Sequence, residues 1–190
     1  AKNALITAEE YANDSNLIAE DNQAQRPAIA SLYRAYTERC FKNGAMDFDD
    51  LLLKMYELLS RFPESLHKYQ QKFQYILIDE YQDTNNAQYS IIKMLGAMHE
   101  NVCVVGDDAQ SIYSFRGATI ENILQFKKDY DNVRIVKLEQ NYRSTSTILQ
   151  AANAVIDNNR DQIRKTLFTE NQAGEKIKVV RTMSDNDEGK

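Results

Sequence analysis

The sequence predicts an α/β protein built on a parallel sheet and preceded by a helical segment. Three observations carry this. Between residues 75 and 158, short apolar runs alternate with stretches of helical periodicity, the pattern of strand–helix–strand units. The runs Tyr75-Ile76-Leu77-Ile78 and Val102-Cys103-Val104-Val105 lack polar alternation, as expected of strands buried on both faces. The first 45 residues, by contrast, are polar and show helical spacing alone.

The elements follow in order. Ile29, Leu32, Tyr33, Tyr36 and Cys40 fall on one helical face, and Pro27 suits the first turn of that helix. A second helix follows Gly44, with Phe48, Leu51, Leu52, Met55, Leu59 and Phe62 on its apolar face. Asp47 is its N-cap and Pro63 its end. After the strand over 75–78, residues 86–98 fit a helix with Ile91, Ile92, Leu95 and Met98 inward. The second strand covers Val102 to Val105, a helix spans about 119–130, and a third strand runs from Val133 to Leu138. A further helix starts near Ser144 and buries Ile148, Leu149, Ala152, Val155 and Ile156. Asp157-Asn158-Asn159 breaks it. Ile177 to Val180 reads as a short strand, and Ser184 to Lys190 as a loose polar end.

Composition narrows the function. A chain of 190 residues can bury roughly 70% of its unfolded surface, so it supports a core. A formal net charge of −5 argues against coating nucleic acid by bulk positive charge, though not against a local groove. Cys40 and Cys103 are too few for a disulfide framework and read as reduced thiols of a cytoplasmic protein. With His67 and His99 they show no zinc-ligand spacing. No apolar stretch approaches 18 residues, so no membrane span is expected.

Chemistry concentrates where the apolar runs end. The first stops at two adjacent carboxylates, Asp79 and Glu80. Ligands of open α/β sheets bind beyond the carboxyl ends of strands. There one acid can hold Mg²⁺ while its neighbour orients or deprotonates a water. A solvated acidic turn fits the same residues equally well. The second run ends in Gly106-Asp107-Asp108-Ala109-Gln110-Ser111-Ile112-Tyr113-Ser114-Phe115-Arg116-Gly117. Gln110 offers an amide to a phosphate oxygen or a water. Tyr113, Phe115 and Arg116 supply stacking faces and a cation, the equipment for single-stranded nucleic acid, while Tyr113 and Phe115 also suit a core beneath a loop. The third run ends in Glu139-Gln140-Asn141-Tyr142-Arg143-Ser144. Arg143 can neutralise charge on a transferred phosphoryl group or pair with Glu139, and Tyr142 can stack on a base.

Taken together and in order, Tyr75–Asn85, Val104–Gly117 and Leu138–Ser144 resemble motifs II, III and IV of UvrD/Rep/PcrA-type superfamily I DNA helicases. Met46-Asp47-Phe48-Asp49-Asp50-Leu51-Leu52 resembles the segment that leads from the inserted helical subdomain of that family back into its first RecA-like core domain. The resemblance implies a partial RecA-like P-loop NTPase core. Residues 1–45 would be the end of the inserted subdomain and 46–147 the later part of the first core domain. Residues 148–190 would end that domain and lead into the second. It implies ATP and Mg²⁺ as cofactors, with Asp79 and Glu80 at the metal, Glu80 as general base and Gln110 as sensor of the γ-phosphate. Tyr142 would stack on the adenine and Arg143 would contact the γ-phosphate. Tyr113, Phe115 and Arg116 would line the DNA track, with Phe115 standing where family members often carry Trp.

A nucleotide triphosphatase also needs a phosphate loop, usually Gly-x-x-x-x-Gly-Lys-Ser/Thr. None of the six glycines (44, 96, 106, 117, 174 and 189) has that spacing. The chain therefore reads as an internal piece of an ATP-dependent DNA helicase, inactive by itself; the resemblance implies 3′–5′ polarity and action on single-stranded DNA and duplex junctions. An unfilled sheet edge would invite self-association. The motor segment of a helicase–nuclease, and a non-catalytic DNA-binding or interaction module on the same core, are the alternatives.

Overall fold

The computed structural model describes residues 1–159 and 162–189, with Arg116 described by its backbone alone. The chain divides into two compact units, 1–131 and 132–190.

The first unit opens with a single 3-10 turn, Lys2–Ala4, and five helices: α1 Ala8–Asn13, α2 Ser15–Gln23, α3 Ile29–Lys42, α4 Phe48–Arg61 and α5 Pro63–Lys72. Local chemistry sets their starts. Thr7 and Glu10 form a capping box on α1, and Asp14 caps α2 through the amides of Asn16 and Leu17. Asp47, the expected N-cap of α4, forms a capping box with Asp50. Each such box satisfies two otherwise orphaned amides. Pro63 does end α4, but it also occupies the first turn of α5, where its missing N–H costs nothing. The sequence expectation left residues 63–72 without an element for that reason.

α1 packs on α3 through an edge-to-face pair, Tyr11 and Tyr33, with centroids 6.0 Å apart. A partly buried ion cluster joins the N-terminal turn to α3 and α4. Lys2 Nζ lies 2.7 Å from Asp47 Oδ2, 2.8 Å from Asp50 Oδ1 and 5.0 Å from the Tyr36 ring centroid. The Tyr36 hydroxyl donates to Asp47 Oδ2 at 2.8 Å. Burial pushes the Asp47 carboxyl up. The hydrogen bonds from Lys2, the Asp50 amide and Tyr36, with the Lys2 charge, outweigh it and hold the group at about 2.

The α/β part follows: β1 Ile76–Ile78, α6 Asn86–Gly96, β2 Val102–Val104 and α7 Glu121–Asp129. β1 and β2 are parallel, with Ile76 opposite Val102, Leu77 opposite Cys103 and Ile78 opposite Val104. α6 starts from an Asn85–Gln88 capping box and packs on α4. Leu53 and Leu59 of α4, Ala87 of α6, Tyr81 and Ile123 form the buried apolar core. Tyr89, Lys93 and Asp129 tie α6 to α7: the Tyr89 hydroxyl donates to Asp129 at 2.9 Å and Lys93 Nζ lies 3.0 Å from it.

Two expectations about the sheet are corrected. The strands are not buried on both faces. Ile76, Ile78, Val102 and Val104 are half-buried, but Leu77 is 77% exposed and Cys103 opposite it is exposed too. Nothing among the described residues covers that face. The strand expected over Val133–Leu138 does not form: the segment has no ladder, and its Val136 and Leu138 are exposed. A strand exists only through its partner's hydrogen bonds.

The second unit contains α8 Ser146–Ile156 and α9 Asp185–Glu188. An isolated parallel bridge joins Gln140 to Phe168. The strand expected over 177–180 is likewise absent, with Val179 and Val180 exposed. The polar end expected to be loose holds α9 instead.

Candidate functional site

β1 carries the chain to Asp79 and Glu80 at its carboxyl end. Glu80 is left-handed, with φ 50° and ψ 43°, a conformation that is strained for a residue with a Cβ. It lets the chain reverse at once into a 3-10 turn, Tyr81–Asp83. Surrounding bonds hold this geometry. The Glu80 amide donates to Asp79 Oδ1 at 2.9 Å, and the Tyr81 amide to the Val105 carbonyl at 3.0 Å. The Val105 amide returns to the Ile78 carbonyl at 2.8 Å. The segments that follow β1 and β2 are thus laced together beyond the last paired residues.

A cleft of about 330 Å³ opens here. Leu52 of α4 and Ile91 and Ile92 of α6 give it an apolar wall, and Asp79, Glu80 and Asp83 line its polar part. Both Asp79 and Glu80 are exposed, and neither forms an ion pair among the described residues. Asp83 Oδ1 is buried and has no hydrogen-bond partner there. An orphaned acceptor beside two carboxylates with no ion pair among the described residues suits a hard cation that keeps most of its water, as Mg²⁺ does. No group of three His, Cys, Asp or Glu side chains forms a closed metal cage among the described residues. The residues present therefore fit a water-rich Mg²⁺ site held by Asp79 and Glu80.

Gln82 connects this cleft to the segment after β2. Its side chain is 1% exposed. Nε2 donates to Glu80 Oε2 at 2.8 Å, and Oε1 accepts from the Asp107 amide at 3.0 Å. The Ser111 hydroxyl donates to the Gln82 carbonyl at 3.2 Å. Asp107 in turn caps the 3-10 turn Asp108–Gln110 through the Ala109 amide, and its Oδ2 accepts from Gln110 Nε2 at 2.8 Å. Gly106 is what lets the two segments approach. A Cβ there would lie 2.7 Å from Gln82 Oε1 and 2.9 Å from Ile123 Cδ1.

Gln110 is exposed, so its amide is available to a ligand once released from Asp107. Tyr113 and Phe115 pack as a tilted pair, centroids 5.8 Å apart, with Phe115 76% exposed. They are a surface platform and not a core beneath a loop. Gly117, at φ 86°, closes the turn that carries them. The side chain of Arg116 lies outside the described residues. A second lacing supports the region: Asn122 Nδ2 of α7 donates to the Thr84 carbonyl at 3.0 Å, and the Thr84 hydroxyl donates to the Tyr81 carbonyl at 2.7 Å.

Tyr142 and Arg143 belong to the second unit. Tyr142 is 78% exposed, and its hydroxyl donates to Gln140 Oε1 at 2.9 Å. Arg143 is exposed and makes no ion pair with Glu139 among the described residues; Glu139 instead accepts from the Thr166 amide. Asn141 Oδ1 accepts from the amides of Arg143 and Ser144. Asn171 Nδ2 donates to the carbonyls of Tyr142 and Ser144. Asn171 holds this loop from 27 or more positions along the chain, which no local pattern signals. Gln82 and Asp107 were missed as well, although both sit inside the runs that carry the expected site residues.

A parallel α/β unit with an acidic cleft at the carboxyl ends of its strands belongs to the class that binds ligands at that edge. Comparison with known proteins defines the family. The model of the UvrD/REP helicase N-terminal domain matches residues 1–131, and that of the UvrD-like helicase C-terminal domain matches residues 136–190. The chain belongs to the UvrD-like helicase family. It is 50% identical over 175 residues to the ATP-dependent DNA helicase PcrA of Staphylococcus aureus, covering 92% of this chain and 24% of that protein. The PcrA of Staphylococcus epidermidis is 47% identical over 187 residues, 98% of this chain and 25% of its own length. The chain thus spans about a quarter of these curated relatives.

Proposed function

We propose that this chain carries part of the hydrolytic and DNA-contacting machinery of an ATP-dependent DNA helicase that translocates 3′ to 5′ on single-stranded DNA and unwinds duplex junctions. The observation that carries the proposal is the strained, tethered Glu80 beside Asp79 at the mouth of the cleft. Asp79 would hold Mg²⁺, largely through water, and Glu80 would position and deprotonate the attacking water. Mg²⁺ supplies charge neutralisation at the transferred phosphate when bound. Gln110 would sense the γ-phosphate, Arg143 would contact it, and Tyr142 would present its exposed ring to the adenine. Tyr113, Phe115 and Arg116 would meet successive DNA bases and their phosphates. The working compartment is read as the cytoplasm. No helix among the described residues is long and apolar enough to cross a membrane.

The chain itself contains no phosphate loop, so bound ATP would lack the amides and lysine that hold its β- and γ-phosphates. Residues 1–190 alone are therefore read as inactive, and their exposed sheet face as prone to self-association. The test uses the full-length protein that carries this sequence. Phosphate release stimulated by single-stranded DNA is expected to fall by roughly 10²- to 10⁴-fold in Glu80→Gln, with ATP binding retained. Undiminished turnover in that variant would remove the assignment of the general base.

A further inference from the structure

We infer that Gln82 is a positioning residue that couples the hydrolytic carboxylate to the DNA-facing segment. The inference rests on the proposed roles of Glu80 and Gln110 and assigns the physical connection between them.

A fully buried amide retains its hydrogen bonds because an end left unpaired loses its water without gaining a partner. The Gln82 amide has partners at both ends, and those of the two ends belong to different segments; Nε2 also reaches Asp83 Oδ2, at 3.5 Å. Its N–H end holds the Glu80 carboxylate at 2.8 Å. Its oxygen holds the Asp107 amide at 3.0 Å. Asp107 then grips the Gln110 side chain at 2.8 Å. The path Glu80–Gln82–Asp107–Gln110 is an unbroken series of hydrogen bonds from the acidic cleft to the turn preceding Tyr113 and Phe115. The Ser111 hydroxyl, bonded to the Gln82 carbonyl, anchors the start of that aromatic segment to the same residue.

The connection is suited to transmit a change in either direction. If Gln110 leaves Asp107 for a phosphate oxygen, the Asp107 carboxylate loses that donor. Gln82 still holds the Asp107 amide, so displacement of the Asp107 segment acts on the Glu80 carboxylate through one rigid planar group. Displacement by DNA stacking at Tyr113 and Phe115 would travel the same path in reverse, as reciprocity between linked sites requires. Gly106 contributes by its lack of a Cβ, since any side chain there would strike the Gln82 oxygen.

Two variants of the full-length protein test this from opposite sides. Gln82→Met keeps the volume and removes the side-chain hydrogen bonds to Glu80, Asp83 and the Asp107 amide. Gly106→Ala leaves Gln82 in the sequence and displaces its oxygen. Each is expected to lower the stimulation of ATP hydrolysis by oligo-dT roughly tenfold, with KM for ATP and oligo-dT affinity near the parent values. Combining Gln82→Met with Gln110→Ala is expected to lower stimulation no further than Gln110→Ala alone. Glu80→Gln serves as the control for the underlying reading: its retained activity would overturn the general base and not the connection. A dead Glu80→Gln alongside normal stimulation in both Gln82→Met and Gly106→Ala overturns the inference. So does a double variant whose losses multiply, or a loss of activity that tracks the melting temperature alone.

Discussion

At the scale of single residues, the informative features are polar groups whose partners lie far along the chain. Asp47 is the clearest case for stability. Its folded pKa is depressed to about 2, so its ionised form stabilises the fold above the ordinary carboxylate range of about 4. That contribution is lost as pH falls through about 4 towards 2. The melting temperature of Asp47→Asn should therefore lie below that of the parent chain at neutral pH and converge with it at acid pH. A gap that stays constant down to the most acid pH would exclude the ionic explanation. Lys2, 7% exposed between Asp47 and Asp50, is the other half of the cluster. Asp47 was legible from sequence as a helix cap, but its ion pair 45 positions away was not.

At the scale of elements, helix starts were readable because their causes are local. Asp47 was anticipated as a cap, and Asn85 acts the same way on α6. Replacing Asn85 with Ala should destabilise the first unit by about 1 kcal/mol, measured by urea denaturation; no change would mean that water satisfies the freed Gln88 amide. Asn122 tests the lacing between α7 and the turn after β1. Asn122→Leu leaves the buried Thr84 carbonyl with one donor fewer, the Thr119 amide remaining, and should cost about 1–3 kcal/mol. Strands were harder. Val133–Leu138 has the composition of a strand, yet composition cannot supply the neighbour whose hydrogen bonds define one. α5 was hidden for the opposite reason, because proline both ends one helix and begins the next.

At the scale of the whole molecule, the proposal makes a demand on the isolated chain. Residues 1–190 should show no DNA-stimulated phosphate release, since no phosphate loop lies within them; turnover abolished by Glu80→Gln in this chain alone would overturn that. The exposed Leu77 and Cys103 face should make the isolated chain sediment faster as its concentration rises, and Leu77→Lys should suppress the effect. A concentration-independent sedimentation coefficient would count against self-association through that face.

The sequence by itself determined the α/β order of most elements, the Asp47 cap of α4, and the three runs whose residues place the chain in its family. These are consequences of local spacing and of residue identity, which a linear reading contains. Tertiary structure decided which face of β1 and β2 is covered, that Phe115 and Tyr142 stand at the surface, and that Gln82 holds Glu80 and the Asp107 segment at once. Burial and hydrogen bonding are properties of pairs, and Asp107 lies 25 positions from Gln82, so only the folded chain brings that pair within reach.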